Sequence, residues 1–429
     1  ELPLKQLIKE MRSGKKIPEI HDIPQTAFLC PKSGLPENRF AEEEQLYSHE
    51  ECVRDKRKQA QNFRVVEEQS NRLSAARILQ EVDNRMLVIN PPNPPMTEEE
   101  IDASFDLPYT RLPHPKYKGK HIPAYEMIKF SVNLHRGCFG GCAFCTISAH
   151  QGKFIASRSK QSILKEAKQI TEMPDFKGYI SDLGGPSANM YRMQGRDLSI
   201  CEKCKKPSCI FPKVCFNLNT DHSDLLDIYK EVDALPGVKK SFIGSGIRYD
   251  MLLHDSSDGK TNAANREYQQ ELIKNHVSGR LKVAPEHTSA STLKIMRKPS
   301  FDHFRRFKQI FDEINKKQQL NQQLIPYFIS SHPGCTEEDM AELAVITKKL
   351  NFRLEQIQDF TPSPMTLATE IYYTGYHPYT LEPVYTAKSN EQKNAQSQFF
   401  FWYDPKQRNS IIKKLKRMGR SDLIKKLYQ

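Results

Sequence analysis

The chain has 429 residues, 38% hydrophobic and 27% charged, with a formal net charge of +12. That balance is ordinary for globular protein and long enough for two or three domains, and no apolar run approaches the roughly 18–20 residues of a membrane span. No charged-then-apolar signal segment opens the chain, and ten cysteines, seven of them in two tight clusters, argue for metal in a reducing cytoplasm rather than for a disulfide framework. Residue 1 is Glu rather than Met, which suggests that an upstream domain precedes it.

In chain order, residues 1–125 read as a helical and irregular extension. Ala41 to Ser74 is charged with helical spacing, a short strand begins at Leu87, and Pro91 to Pro95 is a polyproline-like segment. A helix start at Pro95–Glu100 and a linker with Pro108, Pro113, Pro115 and Pro123 follow. From 126 to 385 strands alternate with helices. Strands are expected at 128–134, 178–185, 240–247, 281–285, 324–330 and 353–360. Helices are expected at 159–172, 223–232, 266–277, 289–297, 304–315 and 336–350, the last opened by Thr336-Glu-Glu-Asp339, which suits a helix N-terminus. This order implies parallel βα units with right-handed crossovers. Residues 386–429 read as a basic extension. Pro405 to Gln429 carries nine Lys/Arg against one Asp, with Ile411, Ile412, Leu415, Met418, Leu423, Ile424 and Leu427 as the apolar side of one or two short helices. Such a tail could bind RNA, acidic protein or phosphate, or could simply be solvated.

The first cysteine group is Cys138, Cys142 and Cys145, directly after the first strand. Gaps of three and two residues match neither a paired zinc knuckle nor the C-x2-C-x2-C ferredoxin run, though a zinc loop or three buried thiols remain readings of the bare spacing. Gly137, Gly140 and Gly141 supply the backbone freedom that a cluster loop needs. The motif resembles the signature of the radical S-adenosylmethionine (SAM) superfamily. That resemblance implies a [4Fe-4S] cluster with three protein thiolates, SAM on the fourth iron, and one-electron cleavage of SAM to a 5′-deoxyadenosyl radical. It also implies a partial (β/α)6 barrel with its site at the C-terminal strand ends, as in full barrels.

The strand ends carry small and polar residues. Asp182-Leu-Gly-Gly-Pro-Ser187 resembles the glycine-pair motif whose backbone receives the SAM amino group, so Gly184 and Gly185 are the matching positions; Pro186 stands where an acidic residue is common. A plain tight turn is the alternative. Ser245 and Arg248, in Gly244-Ser-Gly-Ile-Arg248, could hold the SAM carboxylate or ribose. Ala284-Pro-Glu-His287, leading to Leu293-Lys-Ile-Met296, and Ser331-His-Pro-Gly-Cys-Thr-Glu-Glu338 resemble loops of the methylthiotransferase and elongator-type branch. Glu286 joins the cofactor-binding candidates, and Glu286, His287, His332 and Cys335 are expected near substrate. Cys30 and Cys52 read as structural.

The second group, Cys201, Cys204, Cys209 and Cys215, lies in an insertion at 187–220. Four thiols in fifteen residues point to a metal, either zinc or a second, fully ligated [4Fe-4S] cluster, with free or redox thiols as a further reading. Ser131-Val-Asn-Leu-His-Arg-Gly-Cys138, Asp182 to Tyr191, the second cysteine group with Asn217 to His222, Lys282 to His287, Tyr327 to Gly334, Gln358 to Met365 and Val384 to Asn390 together resemble the YgiQ-type group of radical SAM proteins. In that group a Rossmann-like domain usually precedes the segment matched here. The resemblance implies an iron–sulfur enzyme that takes an electron from a reductant such as flavodoxin or ferredoxin and acts on a substrate it does not specify. An RNA-modifying methylthiotransferase-like enzyme, and a non-enzymatic zinc-stabilised nucleic-acid-binding protein, are the rival readings.

Overall fold

A computed structural model describes residues 2–429 as a mixed α/β protein. The N-terminal region holds α1 (Leu2–Arg12) and a four-stranded sheet in the order β1-β4-β3-β2, from β1 (Ala27–Pro31), β2 (Glu43–Gln45), β3 (Arg77–Val82) and β4 (Arg85–Ile89). Between β2 and β3 run α2 (His49–Arg54) and α3 (Lys56–Ser70). The expectation of a helical and irregular extension is therefore corrected. Only the strand at Leu87 is legible, because β1 and β2 expose alternate residues and carry Pro31, Glu43 and Glu44, which read as loop. The sheet buries Cys30, Leu79, Met86 and Val88 in a small core of its own. Next come α4 (Glu98–Phe105), which a Thr97–Glu100 capping box starts, and α5 (Pro123–Ile128).

The core strands are β5 (Ser131–Asn133), β6 (His135–Arg136), β7 (Ala156–Ser157), β8 (Tyr179–Ile180), β9 (Asp182–Gly184), β10 (Lys240–Ser241), β11 (Arg280–Glu286), β12 (Gln323–Ser330) and β13 (Gln356–Asp359). β5 pairs with β9, β8 with β10, and β11-β12-β13 form one sheet, all in parallel; β6 and β7 make a small antiparallel pair. The first strand begins at Ser131 rather than Ile128, because Pro123 sits at the start of α5 with φ already helical and carries the helix through Ile128.

Helices separate these strands: α6 (Ile147–Gln151), α7 (Lys160–Thr171), α8 (Leu198–Glu202), α9 (Ser223–Asp233), α10 (Tyr249–Leu252), α11 (Gly259–Asn275), α12 (Ala290–Met296), α13 (Phe301–Lys317) and α14 (Glu337–Lys349). Their apolar faces follow the helical period. Phe301, Phe304, Phe307 and Phe311 of α13 are buried on one side, each worth about 2–3 kcal/mol of apolar transfer. The chain closes with α15 (Leu367–Thr374), α16 (Asn390–Ser397), α17 (Pro405–Arg417) and α18 (Ser421–Tyr428). Ile411, Leu415, Leu423 and Leu427 belong to the same apolar core as β5, β11 and β12, so the basic extension is built into the main body.

Candidate iron–sulfur site

The loop after β6 is shaped by its glycines. Gly137 has φ +87, and a Cβ there would meet the Phe154 carbonyl oxygen at 2.3 Å; Gly141 has φ +60, and its Cβ would meet the Pro207 carbonyl oxygen at 2.4 Å. Only glycine fits either place. Between Cys142 and Cys145, the Ala143 amide donates to the Met296 carbonyl at 3.0 Å, and the Ala143 carbonyl accepts from the Ala368 amide at 2.8 Å. The ends of α12 and α15 thereby pin the loop from two sides. Its three thiols are half-buried and free. The Gly140 amide donates to Cys138 Sγ at 3.4 Å, and Arg248 Nη1 to Cys142 Sγ at 3.4 Å. Burial, reinforced by the neighbouring Cys142 thiolate, pushes the Cys138 thiol up to about 12 and raises Cys145. Three thiolates here need more positive charge than Arg248 supplies, which is what a bound metal centre provides.

Arg248 is firmly held. Its guanidinium donates to both oxygens of Asp250, at 2.9 and 2.6 Å. Its amide donates to Asn189 Oδ1 at 2.7 Å, while Asn189 Nδ2 donates to its carbonyl at 3.1 Å. Gly184 and Gly185 end β9. A Cβ on Gly184 would lie 2.8 Å from Ser245 Oγ, and one on Gly185 2.4 Å from the His135 ring. Asp182 ties the two glycine-rich loops together by accepting the Gly244 amide at 2.9 Å, the Ser245 amide at 3.1 Å and the Ser245 hydroxyl. Ser245 thus spends its proton on Asp182 and has only lone pairs to offer a ligand.

Glu286 ends β11 at φ +66, where the register with β12 shifts. It is buried beside an ammonium that sequence reasoning missed: Lys298 Nζ is 3.5 Å away, and the Lys298 side chain is 6% exposed. Desolvation raises the Glu286 carboxyl, with Lys298 opposing. Both charges act on Cys145. The only sequence cue to Lys298 is its place just past Leu293-Lys-Ile-Met296, where a surface lysine is equally natural. Several buried polar atoms at these strand ends lack any partner: Asn133 Oδ1, both His135 nitrogens, Glu286 Oε2, Thr288 Oγ1 and His332 Nε2. Burial holds His135 and His332 down at about 3, so both rings are neutral. Unpartnered buried polar groups are costly, and their convergence at strand ends fits a polar ligand such as SAM. His287 and Cys335 lie differently. His287 accepts the Ser289 amide at Nδ1, which leaves its Nε2 hydrogen facing Cys335 Sγ at 3.4 Å and Met340 Sδ at 3.3 Å. The pair packs into the core, whereas Glu286 and His332 keep free polar atoms.

The second cysteine group lies directly on the first loop. The Cys209 amide donates to the Phe139 carbonyl at 3.0 Å, and Ser208 Oγ to the Gly140 carbonyl at 2.8 Å. Phe139, Met190, Met193, Ile210, Leu218 and Met251 form a small core shared by both groups. The Cys215 amide donates to the Cys209 carbonyl at 2.7 Å, and Asn217 Nδ2 to Cys201 Sγ at 3.5 Å. Buried Lys153 donates to the Lys206 carbonyl at 2.6 Å, with Cys204 Sγ at 3.8 Å. Burial pushes Cys209 up to about 11; Lys153 opposes this and the other three cysteines add to it, so all four thiols share one field. Among the described residues no three His, Cys, Asp or Glu side chains converge on a single-ion position. Ligands of one tetrahedral zinc would lie about 3.8 Å apart.

A cavity of 1170 Å³ lies between the N-terminal sheet and residues 148–154, away from the strand ends. A narrow pocket reaching Cys142 and Cys145 shares Val66, Ser70, Ser148, Ala149 and Met365 with its wall. Cys30 and Cys52 are buried in the N-terminal region, far along the chain from either group. Two of the nine basic residues of the C-terminal segment pair with α14: Arg417 bonds Glu337 at 3.1 Å, and Arg420 bonds Glu338 and, at 3.0 Å, Glu342. No described helix is long and apolar enough to cross a membrane.

Comparison with known proteins matches residues 1–131 to the family described as Radical SAM N-terminal, and residues 355–427 to a domain of unknown function, DUF3362. A UPF0313 protein of Bacteroides thetaiotaomicron is 70% identical over 406 residues, covering 95% of this chain and 65% of the relative. One of Porphyromonas gingivalis is 63% identical over 431 residues, covering 100% and 67%, and one of Methanocella arvoryzae 41% identical over 424 residues, covering 99% and 68%. The chain thus spans about two thirds of the length of these relatives. Among solved structures, the radical S-adenosylmethionine methyltransferase TsrM from Kitasatospora setae, with cobalamin and a [4Fe-4S] cluster bound, overlaps 57% of this chain and 39% of its own at 13% identity, with a TM-score of 0.33.

Proposed function

Because the chain belongs to the UPF0313 family, the YgiQ group of radical SAM proteins, we propose that it is a radical SAM enzyme whose Cys138, Cys142 and Cys145 hold a [4Fe-4S] cluster. When bound, cluster and SAM together supply one-electron cleavage to a 5′-deoxyadenosyl radical, the reagent for hydrogen abstraction from a substrate. The chain's own residues bind and orient. Arg248, fixed by Asp250 and Asn189, keeps a positive charge at Cys142. Gly184 and Gly185, lacking a Cβ, let Ser245 and the His135 ring pack against their backbone. Lys298 is suited to a carboxylate, while Glu286 Oε2 and the lone pairs of Ser245 are suited to hydroxyl or amino donors. The parallel pairs β5/β9, β8/β10 and β11/β12/β13, with helices between them, support a partial (β/α)6 barrel at 126–385. Residues 1–125 pack against it through α3, and the 187–220 insertion carries the second cysteine group.

The observation that carries this reading is the Ala143 clamp. One buried residue, bonded on both sides, fixes Cys142 and Cys145 beside the Arg248 guanidinium. The second group we read as a further [4Fe-4S] centre, since four thiols within fifteen residues are packed on the first loop through the Cys209 amide and the Ser208 hydroxyl. Thiolate-bound iron calls for a reducing compartment, so we place the enzyme in the cytoplasm. The test is anaerobic reconstitution, electron paramagnetic resonance of the reduced protein, and 5′-deoxyadenosine release after dithionite. Wild type should give a cuboidal cluster signal and product, and Cys142→Ala no product and only the signal of the Cys201–Cys215 centre. Product from that variant would sink the assignment.

A further inference from the structure

We infer that the exposed shell of the Cys201–Cys215 insertion is the docking face for an acidic one-electron carrier protein of the flavodoxin or ferredoxin class. The inference rests on the radical SAM reading, whose electron it would deliver.

Charge is the first observation. Lys203, Lys205, Lys206 and Lys213 are all exposed, with Glu202 as the acidic residue among them. None of the four lysines forms an ion pair among the described residues, while Lys160, Lys165 and Lys230 elsewhere are paired with Glu231, Asp106 and Glu267. Glu42, whose charge feels Lys205, is already bonded by Arg72. The second observation is apolar. Phe216, next to Cys215, is 81% exposed, and Leu198 and Ile200 of the same insertion are 49% and 41% exposed. Pairing of Arg196 and Asp197 with Asn217 brings the two apolar segments together. Exposed apolar side chains rimmed by unpaired charge of one sign mark a contact surface.

Position supplies the function. The Cys209 amide and the Ser208 hydroxyl bond the carbonyls of Phe139 and Gly140, the two residues after Cys138. The segment that carries the lysines is therefore hydrogen-bonded directly to the first loop's backbone. RNA would also be drawn to the lysines. However, Phe216 is the one exposed ring of the patch, and Leu198 and Ile200 beside it offer no face for a base to stack on, whereas all three suit the apolar centre of a protein contact. Electron-transfer encounters bury under about 1,200 Å², so a small face suffices. In the step itself the carrier loses one electron and the iron centre gains it; no bond is made or broken and no proton moves.

The test uses anaerobically reconstituted holoprotein and a bacterial flavodoxin as probe, with the dissociation constant measured by calorimetry at low and high salt. The K203E/K205E/K206E/K213E variant should bind roughly tenfold or more weakly at low salt and lose most of the salt dependence. Phe216→Ser should weaken binding at both salts. K260E/K274E/K316E/K317E, which reverses four exposed lysines elsewhere, should bind like wild type. Dithionite should reduce all variants equally, while flavodoxin hydroquinone should reduce the first variant slowly. Unchanged flavodoxin affinity in the first variant overturns the inference. So does tighter binding of a mixed transfer-RNA pool that the same variant abolishes. If dithionite fails to produce a reduced cluster even in wild type, the radical SAM reading falls, and the binding measurement still decides the docking face.

Discussion

Arg297 grips Glu67 with both terminal nitrogens, at 2.7 and 2.9 Å, and so locks the N-terminal helix α3 to the end of α12. Tyr379 donates its hydroxyl to the same carboxylate at 2.7 Å, and both charged side chains are at most 14% exposed. Arg297 holds this position with a left-handed backbone, φ +54, directly after Met296, whose carbonyl clamps Ala143. Removing Glu67 strands a buried guanidinium. Glu67→Ala should cost about 3–5 kcal/mol, read as a lowered denaturant midpoint of the metal-free protein. It should also lower iron uptake per chain. A cycle with Arg297→Ala should show coupling, because the double variant leaves no unpaired charge. Additive losses would show that the pair does not act as a unit.

Gly141 makes a sharper test of the joint between the two cysteine groups. Its φ of +60 is strained for any side chain, and a methyl group would strike Pro207 backbone atoms, which cannot swing aside as a flexible side chain can. Gly141→Ala should push the insertion off the first loop and reduce iron at both groups. Gly246→Ala, whose added methyl group meets nothing within 4 Å, is the control and should keep its iron. Iron and acid-labile sulfide per chain, measured after identical reconstitution, separate the two outcomes.

Glu370 gives a pH signature. Burial raises its carboxyl to about 7, against an ordinary value of 4.5; a bond from Gln59 of α3, at 3.3 Å, opposes the rise only weakly. The folded protein therefore holds this proton where the unfolded chain releases it. The group's contribution is fully present below about 4.5 and is lost as pH rises to about 7. Glu370→Gln stays neutral throughout. The difference in melting temperature between variant and wild type should thus grow in the variant's favour from pH 5 to pH 8, whatever the other carboxylates do. A flat difference would place the Glu370 carboxyl in its ordinary range.

The helices of the core were legible because their apolar residues recur at helical spacing: α13 announces itself through Phe304, Phe307 and Phe311, and α14 through the Thr336 cap. The parallel strand β12 was legible as a continuous apolar run, as a strand buried on both faces should be, and β11 by the alternation of Leu281 and Val283 with Arg280 and Lys282. The sheet at 27–89 was not, since its strands are short and half-exposed and its partners are non-local. In the candidate site, residues tied to a loop motif were legible and those defined by tertiary approach were not. The three cysteines stand out by their spacing, and the glycine pair by its resemblance to a family motif. Lys298, Asp182, Asn189 and Asp250 earn their roles only by what they touch, and nothing local distinguishes them from surface or cap residues.

Lys298 supplies the prediction that separates ligand binding from cluster assembly. It bonds no cysteine, and its ammonium is held near Glu286 by charge rather than by a close hydrogen bond. Lys298→Met keeps most of the aliphatic volume and removes the charge. Iron content should therefore match wild type, while SAM affinity, measured by equilibrium dialysis, should fall roughly tenfold or more, the size expected for losing a charge-assisted contact. The variant also removes the nearer of the two cations that oppose the desolvation of Glu286, so that carboxyl should rise further. Glu286→Gln in the same background should then cost little more, whereas alone it should weaken SAM binding by removing an acceptor. If Lys298→Met binds SAM normally, the ammonium serves only to hold Glu286, and the carboxylate of SAM must be met by Arg248.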